Sequence, residues 1–175
     1  FKKAIHQAGK YLAAYDEEYV LANHHAIALL PIYEAYIITQ DKTLLNAFEI
    51  KFKEFETYCH PEGWALEYDG VDIGYLAGTI SFLTSLYRLW SDERIVNIVT
   101  RAVDFTSYHL YPNGHFGGSM GSRQTVHFYH SGYEFWADKI PLAASMAEMA
   151  LQYLNEGKLV PPGTQEDHYV LYRLS

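Results

Sequence analysis

One cysteine, Cys59, stands among 175 residues. An internal disulfide and a cysteine-rich zinc site are therefore both excluded, and Cys59 reads as a small core residue at a helix end. Basic residues are also scarce, 13 Lys and Arg against 21 Asp and Glu, for a formal charge of −8. Nucleic-acid binding relies on Lys and Arg to neutralise phosphates, so that class is set aside. A polyanionic ligand would need a local positive patch to overcome the overall field. No apolar run approaches the roughly 18 residues of a membrane span. No HExxH or comparable spacing occurs, so neither a metal nor another cofactor is expected.

What the chain does have is apolar content, 49%, with 16% aromatic residues and only 19% charged. That balance belongs to a globular domain with a sizeable core. The opening, FKKAIHQAGKYL, reads as an amphipathic helix already under way, with neither an initiator Met nor a signal-peptide pattern. The expectation is a fragment or processed piece of a longer protein.

An internal repeat organises the chain. Asp41 and Asp92 are 51 residues apart, as are Tyr36 and Tyr87, and Pro61-Glu62-Gly63-Trp64 and Pro112-Asn113-Gly114-His115. A period near 50 in a helical pattern indicates stacked helix pairs. In this register His24 falls on Tyr75, so two side chains capable of chemistry occupy one place in consecutive units.

Apolar spacing predicts a first helix from Lys2 to about Tyr15. Asn23 reads as the N-cap of a second, through Ile38, apolar nearly all round and interrupted by Pro31. Thr43–Tyr58 carries one apolar stripe, Leu44, Leu45, Phe48, Phe52 and Phe55, with Glu49, Lys51, Lys53 and Glu54 covering the rest. The alternation repeats, with Asp72 capping a buried helix to Trp90 and an amphipathic one over Ile95–Leu110. A Gly-rich loop or short β-hairpin is predicted over 112–136, with Thr125–His130 as its strand. A final inner helix is expected from about Asp138 to Asn155. The predicted fold class is all-α, an array of helical hairpins over 1–157, with an extended tail over 158–175. Inner helices starting near Ala22, Asp72 and Asp138 would lie side by side.

All inner helices of such an array begin at one end, where the outer-to-inner loops also lie. Asn23, His24, Tyr75 and the Gly-rich loop converge there, the expected place for a cleft. The ordinary reading gives Asn23 to capping, the adjacent His24 and His25 to the first turn, and most of the 16 tyrosines to packing. Two adjacent histidines point in different directions from a helix and are costly to bury unpaired. Arg123 has no acidic neighbour in sequence, and His115, His127, His130 and Glu134 accompany it in the loop.

LANHHAIALL, followed about fifty residues later by EYDGVDIGYL, resembles the helical toroid domain of heparinase II/III-like polysaccharide lyases and the related alginate lyases. The resemblance covers roughly residues 20 to 136 and implies an (α/α) toroid. It also implies a uronic-acid-containing polysaccharide or oligosaccharide as substrate, cleaved by β-elimination. Carried over, Tyr75 is the general acid and base, and Asn23 and His24 neutralise the uronate carboxylate. His25, Trp64, Tyr68, Arg123, His127 and Glu134 are the expected substrate-binding residues. The family toroid holds more helix pairs than 175 residues supply, so further helices are expected from the same protein or another subunit. A lyase of this kind would be secreted or periplasmic.

Two other readings stay open. An (α/α) toroid glycoside hydrolase would place paired carboxylates from among Glu67, Asp69, Asp72 and Glu134 across the cleft. A non-catalytic helical domain would bind a carbohydrate or a partner protein instead.

Overall fold

The computed structural model describes residues 1–17, 19–112, 116–117 and 128–158. Among them are seven helices: α1 (Lys2–Ala14), α2 (Ala22–Thr39), α3 (Lys42–Tyr58), α4 (Ile73–Tyr87), α5 (Glu93–Ser107), α6 (His130–Trp136) and α7 (Pro141–Asn155). A two-stranded antiparallel hairpin, β1 (Leu66–Glu67) and β2 (Gly70–Val71), precedes α4. Tyr68 and Asp69 form its turn, both with positive φ, 49° and 67°, as a tight two-residue reversal requires. No helix of the described residues is long and apolar enough to cross a membrane.

Aspartates start the helices that follow the short turns. Asp41 accepts from the Thr43 backbone N–H and Asp92 from that of Arg94, each at 2.9 Å. Asp72 does the same for Tyr75 N–H at 2.9 Å. Each satisfies a donor that the first helical turn leaves orphaned. The 51-residue register extends into the loops. Cys59 bridges Ala65, and Leu110 bridges Phe116, the same pairing one repeat later.

The helices alternate as the apolar patterns require. α2 packs against α1, α3 and α4, and α4 also packs against α5 and α6. α2 and α4 run parallel. Asn23, at the start of α2, is tied to Glu67 in the hairpin that leads into α4, while Tyr33, late in α2, meets Trp90 just after α4. Pro31 sits inside α2 without ending it. Core aromatics include Phe48, Phe52, Phe55, Tyr133 and Trp136, all fully buried.

Four expectations are corrected. Asn23 is not the N-cap of α2; that position belongs to Leu21, and Asn23 is the second helical residue. Next, the third inner helix does not begin at Asp138. α6 takes that place, packed on α4 through Ser131 to Ser81 and Trp136 Nε1 to Thr84 Oγ1 at 2.8 Å. α7 packs instead on α6 and α5, in the outer row. The third correction concerns the strand expected over Thr125–His130: residues 125–127 lie outside the described residues, Phe128 and Tyr129 are in no strand, and His130 begins α6. Gly132 sits inside that helix because a Cβ there would meet Ile80 Cγ2 at 3.0 Å and the Ser81 backbone N at 3.1 Å. Finally, Lys51 is buried rather than solvated, and its Nζ donates to the Tyr15 carbonyl at 2.7 Å.

Candidate functional site

A cavity of about 630 Å³ opens beside the heads of α2 and α4. Asn23, His24, Ile27, Ala28 and Pro31 line it from one side of α2, at the i, i+3, i+4 spacing of a helix face. Tyr75, Gly78 and Phe82 face it from α4. Leu12, Tyr15 and Glu17 close one wall, and Tyr129, ahead of α6, closes another. Parallel helices of one register bring Asn23, His24 and Tyr75 to this single cavity. Its walls are mainly apolar and aromatic, with a few polar groups converging at one end, the usual make-up of a small-ligand site.

Asn23 and His24 are each held by a carboxylate. Glu67 accepts from the Asn23 backbone N–H through Oε1 and from Asn23 Nδ2 through Oε2, both at 2.7 Å. Glu67 is 1% exposed. Burial pushes its carboxyl up to about 7, opposed by the two bonds from Asn23 and aided by the nearby Asp72 charge. Asp72 is itself fully buried at the head of α4. His24 is half-exposed, and its Nδ1 lies 3.1 Å from Glu17 Oε2. That bond leaves Nε2 as the imidazole atom that can meet a ligand. Tyr75 is partly buried in the first turn of α4.

The remaining expected binding residues lie elsewhere. His25 is buried on another side of α2, edge-on to Tyr58 at 4.9 Å. Burial holds its imidazole below its ordinary titration range. Trp64 stacks on His60 at 4.3 Å, in the loop after α3 and apart from the cavity. Tyr68 is at the hairpin turn, exposed, with its backbone N–H on the Val20 carbonyl. Glu134 is exposed on α6, 2.8 Å from His130 Nδ1. Arg123, His127 and His115 lie outside the described residues.

Three residues join the site unannounced by the sequence: Glu17 and Tyr15 at the cavity wall, and Glu67, a candidate hydrolytic carboxylate that instead holds Asn23. No local signal marks these roles, since Glu67 and Asn23 are 44 positions apart. Among the described residues no group of three or more His, Cys, Asp or Glu side chains is placed to hold a metal ion. No protein-family model, curated protein or solved structure matches the chain.

Proposed function

We propose that the chain is the helical part of a polysaccharide lyase, built as an (α/α) toroid-type array, that cleaves a uronic-acid-containing glycan by β-elimination. The observation that carries this reading is the lining of one cavity by Asn23, His24 and Tyr75. The aromatic walls suit the apolar faces of sugar rings.

β-Elimination begins with removal of the C5 proton, α to the uronate carboxylate. Negative charge then develops on that carboxylate. The Asn23 amide and a protonated His24 are the donors that stabilise it. Tyr75, as phenolate, takes the C5 proton. The C5–H electron pair forms the C4=C5 double bond, the C4–O4 bond breaks, and the new phenol returns its proton to O4. A phenol ordinarily titrates near 10, so a cation beside it is needed to make the phenolate available. Protonated His24 supplies that charge at the same cavity, oriented by Glu17.

Hydrolysis requires two carboxylates facing across the scissile bond. Among the described lining residues only Glu17 carries one. Glu67 and Asp72 are buried behind the wall, which favours elimination over the hydrolase reading.

The test incubates the full-length protein with pectate, alginate, glucuronan, chondroitin and heparan sulfate. A rise in ultraviolet absorbance from the unsaturated product is expected with at least one. New reducing ends without that absorbance would replace this reading with the hydrolase. Neither signal from any polymer would leave a binding domain.

A further inference from the structure

The first turn of α2 lacks a side-chain cap of its own, since Leu21 occupies the N-cap. Glu67 serves instead, reaching across from β1 to accept both the backbone N–H and Nδ2 of Asn23 at 2.7 Å. No cation pairs with Glu67 among the described residues. This choice of partner controls which way the amide faces. An ionised carboxylate only accepts, so it draws Nδ2 inward, engages one of its two N–H groups and turns Oδ1 outward. A protonated carboxyl donates through its O–H. Asn23 then turns Oδ1 inward and Nδ2 outward, a half-turn about a broad terminal torsion. The backbone N–H keeps its bond to the other carboxyl oxygen throughout.

We infer that Asn23 and Glu67 form a proton-controlled donor switch, in which Asn23 turns its amide nitrogen towards a ligand carboxylate when Glu67 carries a proton and its carbonyl oxygen when Glu67 is ionised. An acidic sugar therefore enters the cavity together with one proton. The ligand half of this inference rests on the acidic-glycan reading above; the switch itself rests on the Asn23–Glu67 geometry. With Glu67 ionised, a uronate would meet the Asn23 carbonyl oxygen with a second negative charge behind it. With Glu67 neutral, it meets an N–H donor.

Among the described residues the groups around Glu67 are few. Asp72 bears on it from the head of α4. Asn23 faces it from α2, and the next residue, His24, is engaged with Glu17. Tyr68 and Asp69 belong to its own hairpin turn. Burial and the Asp72 charge place the Glu67 carboxyl at about 7, so both orientations are populated near neutrality.

The switch is read first in the ligand-free protein. Nitrogen NMR of the Asn23 side-chain amide and carbon NMR of the Glu67 carboxyl are followed between about pH 5 and 9, the range that brackets a carboxyl titrating near neutrality. The two are expected to move with one midpoint. In Glu67→Gln the glutamine carbonyl accepts from the Asn23 backbone N–H and its amide donates to Asn23 Oδ1, so the Asn23 signals become independent of pH. Wild-type Asn23 signals that ignore the Glu67 titration overturn the switch, and this arm stands even if Glu67→Gln does not fold.

The second arm is calorimetric binding of oligogalacturonate and oligoalginate. A one-proton requirement makes wild-type affinity fall, above the Glu67 midpoint, about tenfold per pH unit more steeply than that of Glu67→Gln, which keeps only the His24 dependence common to both proteins. An equal fall in both proteins overturns the coupling. Failure of every acidic oligosaccharide to bind overturns the acidic-ligand reading and the coupling built on it, while the amide titration still decides the switch.

Discussion

Glu67 accepts two hydrogen bonds from Asn23, one from the backbone and one from the side chain, each 2.7 Å long. A carboxylate from the loop before one inner helix thereby caps the helix of the preceding repeat. The contact ties two hairpins together at the residue that faces the cavity, so the packing of the array and the geometry of the site share one bond pair.

Replacing Tyr75 with Phe tests the proposed chemistry most directly. The ring stays at the head of α4, so thermal unfolding should shift by about 1 kcal/mol at most, the worth of one hydrogen bond. Uronate turnover should fall by at least the roughly 10²–10⁴ of a general acid–base group. His24→Ala should also slow turnover, mainly at low substrate, because it removes a donor to the carboxylate rather than the proton carrier. Unchanged rates in Tyr75→Phe would end Tyr75's role.

Glu67 makes a prediction about stability. Its folded value, about 7, lies above the ordinary 4.5, so the native state holds the extra proton between those limits. Its contribution is fullest below about pH 4.5 and is lost as the pH rises through about 7. That rise corresponds to about 3 kcal/mol. Urea unfolding of wild type and Glu67→Gln, compared from about pH 4 to 8, should show the wild type losing ground over that window. Parallel profiles would mean that folding leaves the Glu67 titration at its ordinary value.

His25 acts with the opposite sign. Burial lowers its titration below the ordinary 6.5, so the native fold prefers the neutral ring. Its contribution is present above about pH 6.5 and is lost as the pH falls through the lower folded value. His25→Phe keeps an aromatic edge for Tyr58 and removes the buried base. The variant should lose less stability than wild type between about pH 7 and 5, read by thermal unfolding.

Gly63 is the tightest point of the loop after α3. Its φ is +102°, and a Cβ would overlap the Arg101 carbonyl of α5. Gly63→Ala should cost more than about 3 kcal/mol, from the strained backbone and the clash together. Gly70→Ala, where no described residue lies within 4 Å of the added Cβ, is the control and should change stability by less than about 1 kcal/mol. Similar losses in both would remove the packing argument.

Sequence by itself determined what is local. Apolar periodicity placed α1 to α5, and Asp41, Asp72 and Asp92 cap helices through N–H groups two or three residues away. The 51-residue register came from spacing alone and reappears in the paired bridges Cys59–Ala65 and Leu110–Phe116. It also brought Asn23, His24 and Tyr75 to one cavity. Tertiary structure decided whatever depends on partners distant in the chain. α6 is one example, a seven-residue helix whose pattern includes a glycine. It is held by Trp136 on Thr84, Tyr133 on Thr106, and the close approach of Gly132 to α4. Lys51 reads as a surface residue because its helix is one-sided, yet the Tyr15 carbonyl draws it inward across 36 positions. Glu67 is the plainest case. A single glutamate in a short loop has no periodicity to betray it, and only the folding of one repeat against the last puts its carboxylate on Asn23.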